Sequence, residues 1–139
     1  MINRRHFVAA GLAAGGCATV VLPVKGAQLR RANDVVLLGP DNVRLSRMAM
    51  GTGTFSGKIQ RALGIQGLAD MLHYGYDEGL TFFDTSDTYQ SHPHVKEALT
   101  RLPREKIVIM TKCRAQTAKE MRADLDRFRQ ELGVDYFDI

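Results

Sequence analysis

The sequence predicts an α/β fold of parallel strands alternating with helices, and three observations carry that prediction. From about residue 47 onward, β-prone runs and segments of helical period take turns along the chain. The links between them are short, as in parallel βα units. The run 107–112 is apolar almost throughout, the pattern of a strand covered on both faces. Two architectures satisfy this: an open flavodoxin-like sheet, or half of a (β/α)8 barrel, whose full form takes about 250 residues. No Gly-x-Gly-x-x-Gly turn leads from the first strand into a helix, which weighs against the open sheet. The expected fold is therefore the N-terminal half of a TIM barrel, about four parallel strands with intervening helices, preceded by a short β-hairpin.

Each element has its own signal. Val35, Val36, Leu37 and Leu38 are followed by the turn formers Gly39, Pro40, Asp41 and Asn42, then by Val43, Arg44 and Leu45, which predicts the hairpin. Residues 47–50 form the first barrel strand and run into the glycine-rich stretch 51–57. Leu68, Met71, Leu72 and Tyr76 fall at helical spacing, with Gly79 as the stop. Residues 81–84 form the second strand. Val95, Ala98, Leu99 and Leu102 mark the second helix, closed by Pro103. After the strand at 107–112, a third helix runs from about Thr117 to Leu132, with Thr117 and Glu120 in a capping-box arrangement and Gly133 at its end. Its apolar stripe is Met121, Leu125, Phe128 and Leu132. Residues 136–139 begin a fourth strand.

The formal charge of +4 invites a nucleic-acid reading, so its location matters. Arg4, Arg5 and Lys25 lie in residues 1–26, which have signal-peptide anatomy: a basic start, an apolar stretch and a polar exit. Without them, sixteen basic residues face fifteen acidic ones. No basic stripe is interleaved with aromatics, and nucleic acid is not an expected partner. Arg4 and Arg5, followed after His6 by Phe7, resemble a twin-arginine export motif, a route that carries folded proteins. Export to the periplasm or beyond is expected, with the twin-arginine machinery as a partner. The stretch from Phe7 to Pro23 is short and mild for a spanning helix, which wants roughly 20 strongly apolar residues, so membrane anchorage by an uncleaved leader is the alternative. Cys17 lies in the leader, with Ala14, Gly15 and Gly16 before it loosely resembling a lipobox. Cys113 then stands alone in the remainder, and neither cysteine has zinc-ligand spacing. Residues 27–34 read as a linker.

In barrel enzymes the reactive groups sit at the C-terminal ends of strands. Asp84 ends the second strand, Tyr89 follows in the next loop, and Lys112 ends the third. Singly, each has an ordinary explanation: a turn or cap carboxylate, a packing tyrosine, a solvated surface lysine. Together, residues 83–89 (Phe83, Asp84, Thr85, Ser86, Asp87, Thr88, Tyr89) with Thr111 and Lys112 resemble the catalytic signature of the aldo/keto reductase family. The likeness continues through residues 50–53, 95–99 and 128–139, so it covers about residues 35–139. It implies an oxidoreductase that moves hydride between NADP or NAD and a small carbonyl or alcohol substrate. Tyr89 would be the general acid/base, Lys112 would tune it and Asp84 would anchor Lys112. Gly51, Thr52 and Asp84 would lie at the cofactor. The chemistry is coherent: a free phenol titrates near ~10 and is a reluctant acid, and a neighbouring ammonium improves it.

Two departures stand out. Gln90 occupies the position after the tyrosine where the family commonly has glycine. The family's fourth catalytic residue, a histidine at the end of strand four, falls beyond Ile139, as do its main phosphate and adenine contacts. His92 and His94 do not match that histidine, and no metal is expected of them, since such sites need three or four ligands. The chain thus reads as part of a longer protein, expected to be inactive as 139 residues alone. The alternatives are a non-catalytic cofactor-binding barrel of the same family and, less naturally, a barrel hydrolase, for which the strand ends supply no paired carboxylates.

Overall fold

The computed structural model describes residues 29–139. The expected leader, with Cys17, lies outside the described residues. Among the described residues no helix is long and apolar enough to cross a membrane.

The hairpin forms as expected: β1 (Val35–Leu38) pairs antiparallel with β2 (Val43–Ser46), Val35 opposite Ser46 and Leu38 opposite Val43. The second sheet has three parallel strands, β3 (Ala49–Gly51), β4 (Phe82–Asp84) and β5 (Val108–Met110), in that order. Its register aligns Met50 with Phe83 and Ile109, and Gly51 with Asp84 and Met110. A one-turn helix α1 (Lys58–Arg61), which the sequence pattern did not announce, precedes α2 (Gly64–Asp77). Helices α3 (His92–Leu99) and α4 (Ala118–Leu132) follow β4 and β5.

Side chains alternate across a strand, so the register sorts the sheet into two faces. Phe83 and Ile109 join Leu68, Leu72, Val95, Ala98 and Leu132 in one core, with Met50 packed against it. Each fully buried side chain of this size is worth about 1.5–3 kcal/mol. The neighbouring positions Ala49, Gly51, Phe82, Asp84 and Met110 occupy the opposite, concave face and stay partly exposed.

The helix ends follow their local chemistry. At the start of α4, Thr117 accepts from the Glu120 amide and the Glu120 carboxylate returns to the Thr117 amide, both orphan donors being satisfied. Gly133, at φ 66°, closes it. Of the stripe expected on α4, Phe128 and Leu132 are buried, Leu125 is half-buried and Met121 is exposed.

Residues 136–139 lie along the outer edge of β5, as expected of the start of a fourth strand, although they are not themselves a regular strand. The Thr111 amide donates to the Ile139 carbonyl at 3.2 Å. The amides of Asp138 and Ile139 both reach the Ile109 carbonyl at 3.2 Å. The Asp138 carboxylate takes the Ile109 amide at 2.8 Å, where a ladder would offer a main-chain carbonyl. Arg104 holds both that carboxylate and the Tyr136 carbonyl, each at 2.8 Å, and its guanidinium sits 4.0 Å from the Tyr136 ring centroid. At the Ile109 amide a side chain thus takes the place of a backbone partner. β5 is shorter than expected, and Lys112 lies two residues past its end, its carbonyl accepting from the Asp87 amide at 3.0 Å and the Ser86 hydroxyl at 3.2 Å.

Candidate active site

The three residues singled out as catalytic meet at one rim of the sheet. Asp84 closes β4 on the concave face, and Nζ of Lys112 bonds its Oδ1 and, at 3.0 Å, the Thr85 carbonyl. The same ammonium lies 5.2 Å from the centroid of the Tyr89 ring. A carboxylate, an ammonium and a phenol from two successive strand ends and the loop between them therefore share one small volume. Lys112 is 43% exposed at its side chain and Asp84 24%, so water screens the pair and its worth is in orientation more than stability.

Tyr89 ends a single 3-10 turn, Asp87–Tyr89. Its ring rests on Gly53: a Cβ placed there would come within 2.5 Å of the phenol carbon. Glycine at 53 is thus required by the tyrosine, a dependence that the sequence alone does not show. Arg61, from the unannounced α1, bonds the Tyr89 carbonyl and, at 2.9 Å, that of Ser56. Gln90 sits at φ 52°, the left-handed region that glycine occupies without strain, which gives the family's glycine here a backbone reason.

The expected cofactor residues are neighbours as well. Gly51 pairs with Asp84, and space lies open around the position its Cβ would take. Thr52 is fully buried: its amide and hydroxyl both donate to the Asp84 carbonyl, at 3.0 and 3.1 Å. With that proton spent, Ser91 is left to donate to Thr52 at 2.8 Å, and Thr85 to Ser91 at 3.1 Å. A chain of buried hydroxyls therefore runs beneath the rim and ties the loop after β3 to the loop between β4 and α3.

The two histidines of the His-Pro-His stretch go separate ways. His92 is buried against Glu131 and Thr111. His94 keeps a buried Nδ1 without a partner; burial first, and Arg61 second, push it below the usual histidine range.

A parallel α/β half-barrel with a carboxylate–lysine–tyrosine rim defines a class of reductase-like barrels. Residues 47–139 match the model of the aldo/keto reductase family, and the chain belongs to that family. It is 37% identical over 84 residues to a probable aldo-keto reductase of Glycine max, an alignment covering 55% of this chain and 23% of that one. It is 28% identical over 131 residues to the NADH-specific methylglyoxal reductase of Escherichia coli, covering 73% and 39% of the two chains. Thus the chain spans well under half the length of these curated relatives. Among solved structures, an aldo-keto reductase of Bombyx mori in complex with NADP superposes with a TM-score of 0.65 at 20% identity, over 77% of this chain and 36% of that one. One from Klebsiella pneumoniae in complex with NADPH gives 0.58 at 22%, over 74% and 37%. These likenesses show the fold.

Proposed function

We propose that the whole protein is a nicotinamide-dependent carbonyl reductase in which Tyr89 gives the proton to the substrate oxygen. The observation that carries this reading is the Asp84–Lys112 pair set beside the Tyr89 ring. Asp84 aims the ammonium, which sets a positive charge beside the ring that would give up its proton. Gly53 leaves room for the phenol end of the ring, and Arg61 holds the backbone that carries it.

The rim fits a nicotinamide cofactor, since Gly51 leaves open space beside Asp84 and offers no side chain to fill it. Bound there, the cofactor would supply hydride in reduction or accept it in oxidation. Thr52 has its hydroxyl committed to protein partners, so its part would be to shape the rim. Solved relatives carrying NADP and NADPH and a curated relative named as NADH-specific support either nucleotide as the cofactor. The substrate class is small carbonyl compounds and the corresponding alcohols.

The 139 residues alone supply half a barrel in this reading, with a concave face still partly open, and are expected to turn over nothing. Oxidation of NADPH at 340 nm with aliphatic and aromatic aldehydes, comparing the whole protein with residues 1–139, tests both statements. No turnover by the former, or brisk turnover by the latter, would contradict them. The basic, mildly apolar leader supports export by the twin-arginine route. Replacing Arg4 and Arg5 by lysine should keep the protein in the cytoplasm, and unchanged export would refute that route.

A further inference from the structure

Residues 86–92 carry Tyr89 between two anchors on one helix. Upstream, Asp87 accepts from Nη1 of Arg127 at 2.9 Å. Downstream, Nδ1 of His92 meets Oε2 of Glu131 at 2.6 Å. Arg127 and Glu131 stand one turn apart on α4 and are bonded to each other at 2.9 Å, while Arg127 also reaches Asp124 at 3.0 Å. On its other edge, His92 places Nε2 3.2 Å from Oγ1 of Thr111, the residue before Lys112. The two ring nitrogens thus tie the carboxylate of Glu131 to the hydroxyl of Thr111 through one imidazole.

The ring of His92 is 1% exposed and edge-on to Phe128, with centroids 4.9 Å apart. Burial opposes the charge of Glu131, yet His92 and Arg127 together hold its carboxyl below the usual range. The Arg127 hydrogen bond does the same for Asp87, more than offsetting burial. Both ring nitrogens of His92 and both carboxylate oxygens of Glu131 thus find a partner, and the circuit touches both sides of Tyr89 and the approach to Lys112.

A one-turn 3-10 segment does little to hold a side chain by itself, and it is followed by Gln90 in the left-handed region. Proton transfer demands hydrogen-bond distance, and a misplacement of about 1 Å can cost up to roughly a hundred-fold in rate. We infer that His92 and Glu131 are positioning residues for this reaction, locking the Tyr89 turn and the Lys112 strand end to one another through α4. The inference rests on the carbonyl-reductase reading above.

The test is kinetic, in the whole protein, with NADPH and benzaldehyde or the best aldehyde of a panel. His92→Phe keeps the ring's bulk and its contact with Phe128 but loses both hydrogen bonds. It should lower kcat roughly ten-fold or more, with KM for cofactor and aldehyde within about two-fold. His92→Asn, whose amide nitrogen stands near Nδ1, should recover most of that loss. Glu131→Gln should fall between them, and because the Glu131 side chain is 32% exposed, this variant decides the matter should His92→Phe fail to fold. Folded variants at wild-type kcat, or an asparagine no better than phenylalanine, would overturn the inference. Tyr89→Phe separates the two ideas. If it is inactive while the His92 and Glu131 variants run at full rate, only the positioning role is lost; if it is as active as wild type, the catalytic reading fails and takes this inference with it.

Discussion

Phe83 and Asp84 are adjacent residues of the same short strand, yet they belong to different parts of the molecule. Phe83, with its register partner Ile109, is wholly buried under the helices. Asp84, with Gly51 and Met110, faces the concave side and remains partly open, its carboxylate committed to Lys112. One face of the sheet is held by apolar burial; the other, otherwise lined by Ala49, Gly51, Phe82 and Met110, presents the Asp84 carboxylate in a fixed position. The difference teaches that stability and chemistry here are separable one residue at a time, as alternation along a strand allows.

Substitutions on either face should break or sharpen that separation. The largest effect is expected from Tyr89→Phe, which removes the phenol without touching the core. Turnover should drop about 10²–10⁴-fold, with the denaturation midpoint nearly unchanged, and a variant that loses both together would blur the division. Phe83→Ala should do the reverse, costing about 3–5 kcal/mol in urea unfolding while any protein that remains folded keeps its cofactor affinity. Gln90→Gly relieves a left-handed residue at the loop of the acid. It should gain about 1 kcal/mol of stability, and a loss instead would mean that the Gln90 side chain contributes contacts outweighing the strain.

The smallest effect should come from Asp87→Asn. The Arg127 hydrogen bond holds the Asp87 carboxyl below its ordinary value of 3.8, so the folded state favours its charge. That contribution is present above pH ~4 and lost as pH falls through the folded value. Asparagine should therefore destabilise the protein at neutral pH, with the gap to wild type closing on acidification. A gap that widened toward acid would contradict this assignment.

Much of the architecture was legible because it is written in short-range pattern. The capping box of Thr117 and Glu120, the stop at Gly133 and the hairpin turn after Leu38 each depend on residues within a few positions of one another. α1 was not legible: four residues entered from a left-handed Gly57 carry no period to detect. The fourth strand was legible as a run, but nothing local showed that Arg104, 34 residues from Asp138, would hold the Asp138 carboxylate and the Tyr136 carbonyl beside β5. The site shows the same split. Asp84, Tyr89 and Lys112 were marked by spacing and family likeness. Gly53 and Glu131 fell within the matching stretches of that likeness with no role attached, and Arg61 and His92 outside them, since their roles arise from contacts such as His92 with Glu131, 39 residues apart. Long-range pairing of that kind leaves no periodic trace.

The buried hydroxyls of Thr85, Ser91 and Thr52 have one more consequence. Because each proton is handed to the next oxygen and the last to the Asp84 carbonyl, none can rotate without obliging its neighbours to turn as well. Ser91 is the middle member, so truncating it to alanine would strand an acceptor on one side and a donor on the other. A disturbance arriving at either of the two loops is therefore passed to the other through the orientation of O–H bonds.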